Sequence, residues 1–241
     1  MKRLFFSIFA LFAISSAGFA QEESKGKFDL SVDLSSGFVW RGLTNNTLPV
    51  VQPSFTFSSG NFFIGAWAST PIGFDWGQPH EVDIFLGFQL APAFTLGLTD
   101  YFVYGSNWSE SYFNWDKNET CHALDLQLIY DGSGSFPLKT MISTIIAGND
   151  LKEVNKSNYS TYLELGYGRT TSNNIDWDVA FGIVPMKSDF YGTDEIRVVN
   201  LSLSLSKNFE ITPTYSMPLS LKFTVNPNAR SAFLTAAVTL F

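Results

Sequence analysis

One cysteine in 241 residues, Cys121, excludes an internal disulfide, so hydrogen bonding and packing must hold the fold together. Charge is scarce as well: 15% of residues are charged, against about 25% in a typical soluble domain. Positive charge is the scarcer sign, with 15 Lys and Arg against 22 Asp and Glu. That deficit argues against a nucleic-acid partner, because phosphate binding needs a basic surface. Two histidines, His80 and His122, lie far apart in sequence and give no zinc spacing with Cys121. No glycine-rich phosphate loop occurs, and the acidic stretch "KSDFYGTDE" (187–195) lacks the regular calcium-loop pattern. The sequence therefore calls for no metal and no cofactor. Past residue 20 no run of 18 apolar residues occurs, which excludes a transmembrane helix.

What the chain does have is aromatic side chains, 16% of it, in small alternating doses. The first twenty residues stand apart. Met1-Lys2-Arg3 precedes the apolar "LFFSIFALFAI" (4–14), and small residues follow up to Ala20. This pattern predicts a secretory signal peptide cleaved after about Ala20. An apolar stretch of eleven residues is too short for a membrane anchor, and no cysteine at the cleavage point offers a lipid attachment. Without Lys2 and Arg3, 13 of the 15 basic residues remain against 22 acidic ones, a formal charge of −9 on residues 21–241.

Period-two alternation runs through that mature chain. "FDLSVDLS" (28–35), "VQPSFTFS" (51–58), "EVDIFLGFQL" (81–90), "ALDLQLIY" (123–130), "STYLELGY" (160–167), "DWDVAFGI" (176–183), "VNLSLSLS" (199–206) and "ITPTYSMPLSLKFTV" (211–225) each set one apolar face against a polar one. Less regular segments at 62–69, 94–104, 138–147 and 231–241 bring the count to twelve. Alternate connections are short, among them 59–61 and 91–93, while most of the others, such as 105–120 and 185–196, are long. An even strand count with short turns at one end and long loops at the other is the plan of an outer-membrane barrel. In lipid every backbone amide needs a partner, and closure gives each strand two neighbours. A soluble sandwich would have to cover these apolar, aromatic faces. The prediction is thus a single all-β domain: a closed antiparallel transmembrane β-barrel of about 12 strands in a bacterial outer membrane. Its turns are periplasmic, its long loops extracellular, and its outer face meets lipid. Pro213 fits a strand start, and Pro218 implies a bulge or a missing bond. Phe241 resembles the terminal aromatic that barrel-assembly machinery reads.

Residues 36–105 carry a further resemblance. Trp40-Arg41-Gly42, Pro49 with Gln52, Gly65-Ala66-Trp67-Ala68-Ser69, and Glu81-Val82-Asp83 with Gly87-Phe88 follow one another in order. This set resembles the Gcw_chp family of exported bacterial proteins, and the resemblance implies an outer-membrane barrel without implying a mechanism.

With the polar faces inward, the lumen gathers Asp29, Asp33, Glu81, Asp83, Asp125, Glu164 and Asp178, with Arg41, Lys139 and Lys222 as cations. Arg41 at the end of the first strand and Glu81 and Asp83 at the start of the fourth are expected at one height. There they would form either a pore constriction or a structural ion cluster in a filled barrel. In the loop 105–120, Trp108, Tyr112, Phe113 and Trp115 are candidate contacts for a ligand, a local cluster folding the loop over the mouth, or part of an interfacial girdle. His122 shares the lipid-facing parity of Leu124, but the His-x-Ser arrangement that outer-membrane phospholipases resemble is missing, so no catalytic residue is assigned. Three functions follow in order. The first is a porin-like channel for small polar or cationic solutes. Next come a non-conducting structural or loop-binding barrel and a lipid-modifying enzyme. An open or a plugged lumen separates the first two.

Overall fold

The computed structural model describes residues 26–73, 77–105, 111–133, 136–213 and 215–240. The predicted signal peptide, Trp108 and Phe241 lie outside them. In chain order the strands are β1 (Lys27–Ser35), β2 (Phe38–Trp40), β3 (Leu43–Asn46), β4 (Val50–Ser59), β5 (Phe62–Pro71), β6 (His80–Ala91), β7 (Phe94–Tyr104) and β8 (His122–Tyr130). There follow β9 (Lys139–Gly148), β10 (Leu151–Glu153), β11 (Lys156–Ser157), β12 (Thr161–Thr170), β13 (Asp176–Val184), β14 (Arg197–Thr212), β15 (Tyr215–Asn226) and β16 (Ser231–Thr239). Twelve of them close into one antiparallel barrel, in the order β1-β16-β15-β14-β13-β12-β9-β8-β7-β6-β5-β4. The remaining four form two small hairpins, β2–β3 and β10–β11, outside the barrel sheet.

The alternation read in the sequence becomes an inside-out distribution. On β1, Ser31, Asp33 and Ser35 are buried in the lumen while Phe28 and Leu30 are exposed. The same holds on β8, where Asp125 and Gln127 are fully buried and Leu126 and Leu128 are exposed. A soluble core would be arranged the other way round; an apolar outer wall with a polar interior is what a barrel in lipid requires.

Two details correct the sequence reading. The fifteen-residue alternation at 211–225 is two strands, because β14 runs on to Thr212 and the turn falls at Pro213. Period two survives a tight turn, so the pattern alone cannot mark the break. Pro218 opposes Asn208 in unbroken register, and the irregularity on this ladder lies between Glu210 and Thr212. Pro218 therefore sits without a bulge. The second correction concerns the first strand, which stops at Ser35, so that Arg41 does not end it.

Candidate functional site

After Ser35 the chain leaves the wall and turns into the barrel. β2 and β3 pair, and the two residues between them, Arg41 and Gly42, have φ of 47° and 81°. Positive φ at both central positions is the type I′ geometry that matches strand twist in two-residue hairpins. Gly42 also permits the close approach of this tip to β14: a Cβ there would lie 1.8 Å from the Val199 carbonyl oxygen. The Asn226 amide donates to the Gly42 carbonyl at 3.1 Å and fixes the tip from β15. Phe38, Trp40 and Asn46 are buried. The hairpin thus crosses the lumen in its long-loop half.

At the tip the Arg41 guanidinium is consumed by partners. Nη2 donates to Asp125 Oδ2 at 2.9 Å, and Nη1 donates to Ser143 Oγ and to the Tyr191 hydroxyl, each at 2.7 Å. Its plane lies 4.4 Å from the centroid of Trp40 and 4.8 Å from that of Tyr162. The planar fork and flat faces of arginine satisfy all of these at once, which an ammonium would not. Asp125 in turn accepts from Ser143 Oγ at 2.6 Å and from Gln127 Nε2 at 2.9 Å. Both members of the ion pair are buried, and a buried pair is tolerable only when its hydrogen bonds are complete.

Tyr191 comes from the loop 185–196, which the sequence left as an acidic loop. Its ring lies parallel to those of Trp40 and Tyr162, at 5.9 and 5.8 Å. Burial, above all, pushes its hydroxyl well above the ordinary tyrosine range, so it stays neutral beside Arg41. A second tie holds this loop down. Asp150 accepts from the Ser160 amide at 2.7 Å and from its hydroxyl at 2.6 Å, and Ser160 Oγ meets Ser188 Oγ at 2.6 Å. No local signal in the sequence singles out Tyr191, since Phe190 beside it is aromatic as well.

The other predicted lumen residues separate into distinct places. Glu81 accepts from Asn45 of the hairpin at 2.7 Å, with buried Asp83 two residues on along the same face. Arg41 pairs with Asp125, not with these two acids, which corrects the expected constriction: the tip reaches past β6 to β8 and β9. Glu164 is buried and accepts from the Tyr162 hydroxyl and from Asn200 Nδ2, the latter at 3.1 Å. Asp29 lies near the short-turn rim in an exposed contact with Lys27. Asp33 accepts from Thr239 Oγ1 at 2.6 Å. Asp33 and Asp178 line a cavity of about 430 Å³ in the short-turn half, bounded also by Ser35, Lys139, Lys222 and Thr239.

Tyr112 and Trp115 pack on His122, which shares the outward parity of the exposed Leu126 and Leu128, so residues 111–120 lie against the outer wall, where girdle aromatics would stand, rather than over the mouth. Trp115 stacks on His122 at 4.0 Å, Asp100 meets its Nδ1 at 2.9 Å, and its Nε2 meets the Tyr112 carbonyl at 2.6 Å. Phe113 is exposed beside this cluster.

No family model and no curated protein matches the chain. Among solved structures, one described as "Unveiling the Mechanism Behind the in-meso Crystallization of Membrane Proteins" aligns with 88% of this chain and 82% of its own, at 11% identity and a TM-score of 0.40.

Proposed function

We propose that this protein is a non-conducting barrel of a bacterial outer membrane, blocked at its long-loop end by its own hairpin and hollow at its short-turn end. Arg41 carries this reading. A strong cation sits inside the lumen with both terminal nitrogens engaged, on a hairpin that packs there against Tyr191. Porin-like passage would need that network broken and a charge left unpaired in the interior, at several kcal/mol. The hollow half then serves to bind a small solute or head group from the periplasmic side. Of the acids that favoured a cation pathway in the sequence, Glu81, Asp125 and Glu164 accept from structural partners, and Asp33 and Asp178 stand in the cavity beside lysines.

Cysteine accessibility tests both the block and the orientation. In a Cys121→Ser background, Ser206→Cys places a thiol in the cavity and Glu195→Cys places one in an exposed long loop. A membrane-impermeant maleimide added to intact cells is expected to label position 195 and spare position 206. Permeabilising the outer membrane is expected to expose position 206. Labelling of 206 in intact cells would overturn the block, and failure at 195 would overturn the orientation.

A further inference from the structure

The barrel has one short junction. β1 and β16 oppose each other at only three positions, Asp33–Thr239, Leu34–Val238 and Ser35–Ala237. The next shortest junction, β9 with β12, has six, running from Thr161–Thr144 to Gly166–Lys139. The cause is the inward hairpin: β1 ends at Ser35, so the upper part of β16 has no strand beside it. The lower part of β1 extends past the end of β16. Exposure records both gaps. Leu234 on β16 and Phe28 on β1 are 69% and 68% exposed, whereas Leu203 and Phe223, each flanked by two strands, are 42% and 47% exposed.

This seam is also a wall of the cavity. Asp33, Ser35 and Gly37 line it from one side of the junction, Thr235, Ala237 and Thr239 from the other. Parting β1 from β16 would connect the cavity with the apolar outer surface, and it breaks the shortest ladder of the barrel. Flanking the three ladder positions, the Ser36 amide donates to the Ala236 carbonyl and the Leu240 amide to the Val32 carbonyl, while the Ala236 amide donates to Ser36 Oγ, Ser35 Oγ to the Ala236 carbonyl, and Thr239 Oγ1 to Asp33.

Resting on the membrane placement proposed above, we infer that the β1–β16 seam is a lateral portal through which the cavity takes the head group of a zwitterionic single-chain lipid. Size sets the division of the ligand. At ~30 Å³ per water-sized group, the cavity holds about fourteen such groups. That accommodates a phosphoethanolamine or phosphocholine head with its glycerol, and leaves no room for a long acyl chain as well. The chain therefore stays outside, along the apolar strip of Phe28, Leu30 and Leu34. Charge sets the class of head. Asp33, Asp176 and Asp178 stand in the same cavity as Lys139, Arg169 and Lys222, so the lining carries both signs in equal number and matches a head group of both signs rather than an anion or a cation alone.

Native mass spectrometry on the refolded full barrel tests this, with lysophosphatidylcholine as the probe. In a Cys121→Ser background, Leu34→Cys with Val238→Cys locks the seam from its outer face, and Leu203→Cys with Phe223→Cys locks β14 to β15 as a control. The reduced proteins and the oxidised control are expected to retain one lysolipid under conditions that strip surface lipid. The oxidised seam variant is expected to retain at least tenfold less, and to recover on reduction. Asp33→Asn with Lys222→Gln is expected to lower retention at least fivefold in the unlocked barrel. Equal retention by the locked and unlocked seam overturns the portal, and no retention by the unlocked barrel overturns the site. Either result leaves the accessibility of positions 195 and 206 unchanged, so it is distinct from a failure of the membrane placement.

Discussion

Arg41 shows most directly how a single side chain holds this lumen together. Arg41→Ala leaves Asp125 buried with its counter-charge gone, and breaking a buried pair in this way costs about 3–5 kcal/mol. The urea midpoint of the refolded barrel is expected to fall accordingly. The double variant Arg41→Leu with Asp125→Leu should recover most of that loss, because no orphaned charge remains. The sequence placed Arg41 and Asp125 in the lumen by parity alone, yet seven acids share that parity, and nothing local distinguishes Asp125 from Glu81 or Asp83. Choosing among them needed the reach of a hairpin whose direction depends on packing against distant strands. Asp150 supports a prediction about pH. Burial raises its pKa, hydrogen bonds from Ser160 oppose this, and the charge of Asp189 adds to the rise. A carboxyl with a raised folded value contributes stability that is fully present below its unfolded value, about 3.9. That stability is lost as pH rises through the folded value. The melting temperature of wild type relative to Asp150→Asn is therefore expected to fall between pH 4 and pH 7 in detergent scans; a constant difference would contradict it.

Among the elements, the β2–β3 hairpin decides whether the lumen is filled. Its strands are three and four residues long, too short for periodicity to announce them. The usable signal was chemical: Arg-Gly between Trp40 and Leu43 suits a two-residue turn with positive φ. Gly42→Ala adds both an unfavourable φ and a clash with the Val199 carbonyl. It is expected to unseat the tip and give measurable conductance where wild type gives none. The outer-wall loop forms a second element, held by His122 and by the bonds of Lys117 and Asn118 to Asn155. His122→Ala removes the ring that Trp115 stacks on and the group that meets the Tyr112 carbonyl. Loss of ~1.4 kcal/mol of local stability corresponds to about tenfold more frequent opening. Tryptic cleavage after Lys117 is expected to rise by about that factor. The sequence identified this loop's aromatics but not their side of the wall, because a loop's direction is set by tertiary contacts that strand parity does not encode.

At the scale of the whole molecule, parity carried most of the fold. All twelve barrel strands were legible, and so was the inside-out burial of residues such as Ser31 against Leu30, since closure makes every strand obey one rule. The filling of the barrel was not legible, because it depends on where one interrupted strand sends its continuation. The account stands or falls on that filling. The most direct measurement is the current carried by the purified, refolded protein in a planar bilayer, compared with a variant in which residues 37–46 are replaced by a short glycine-serine link. The account predicts silence from the folded wild type and discrete conductance steps from the variant. Steady, cation-selective steps from wild type would contradict it and restore the channel reading.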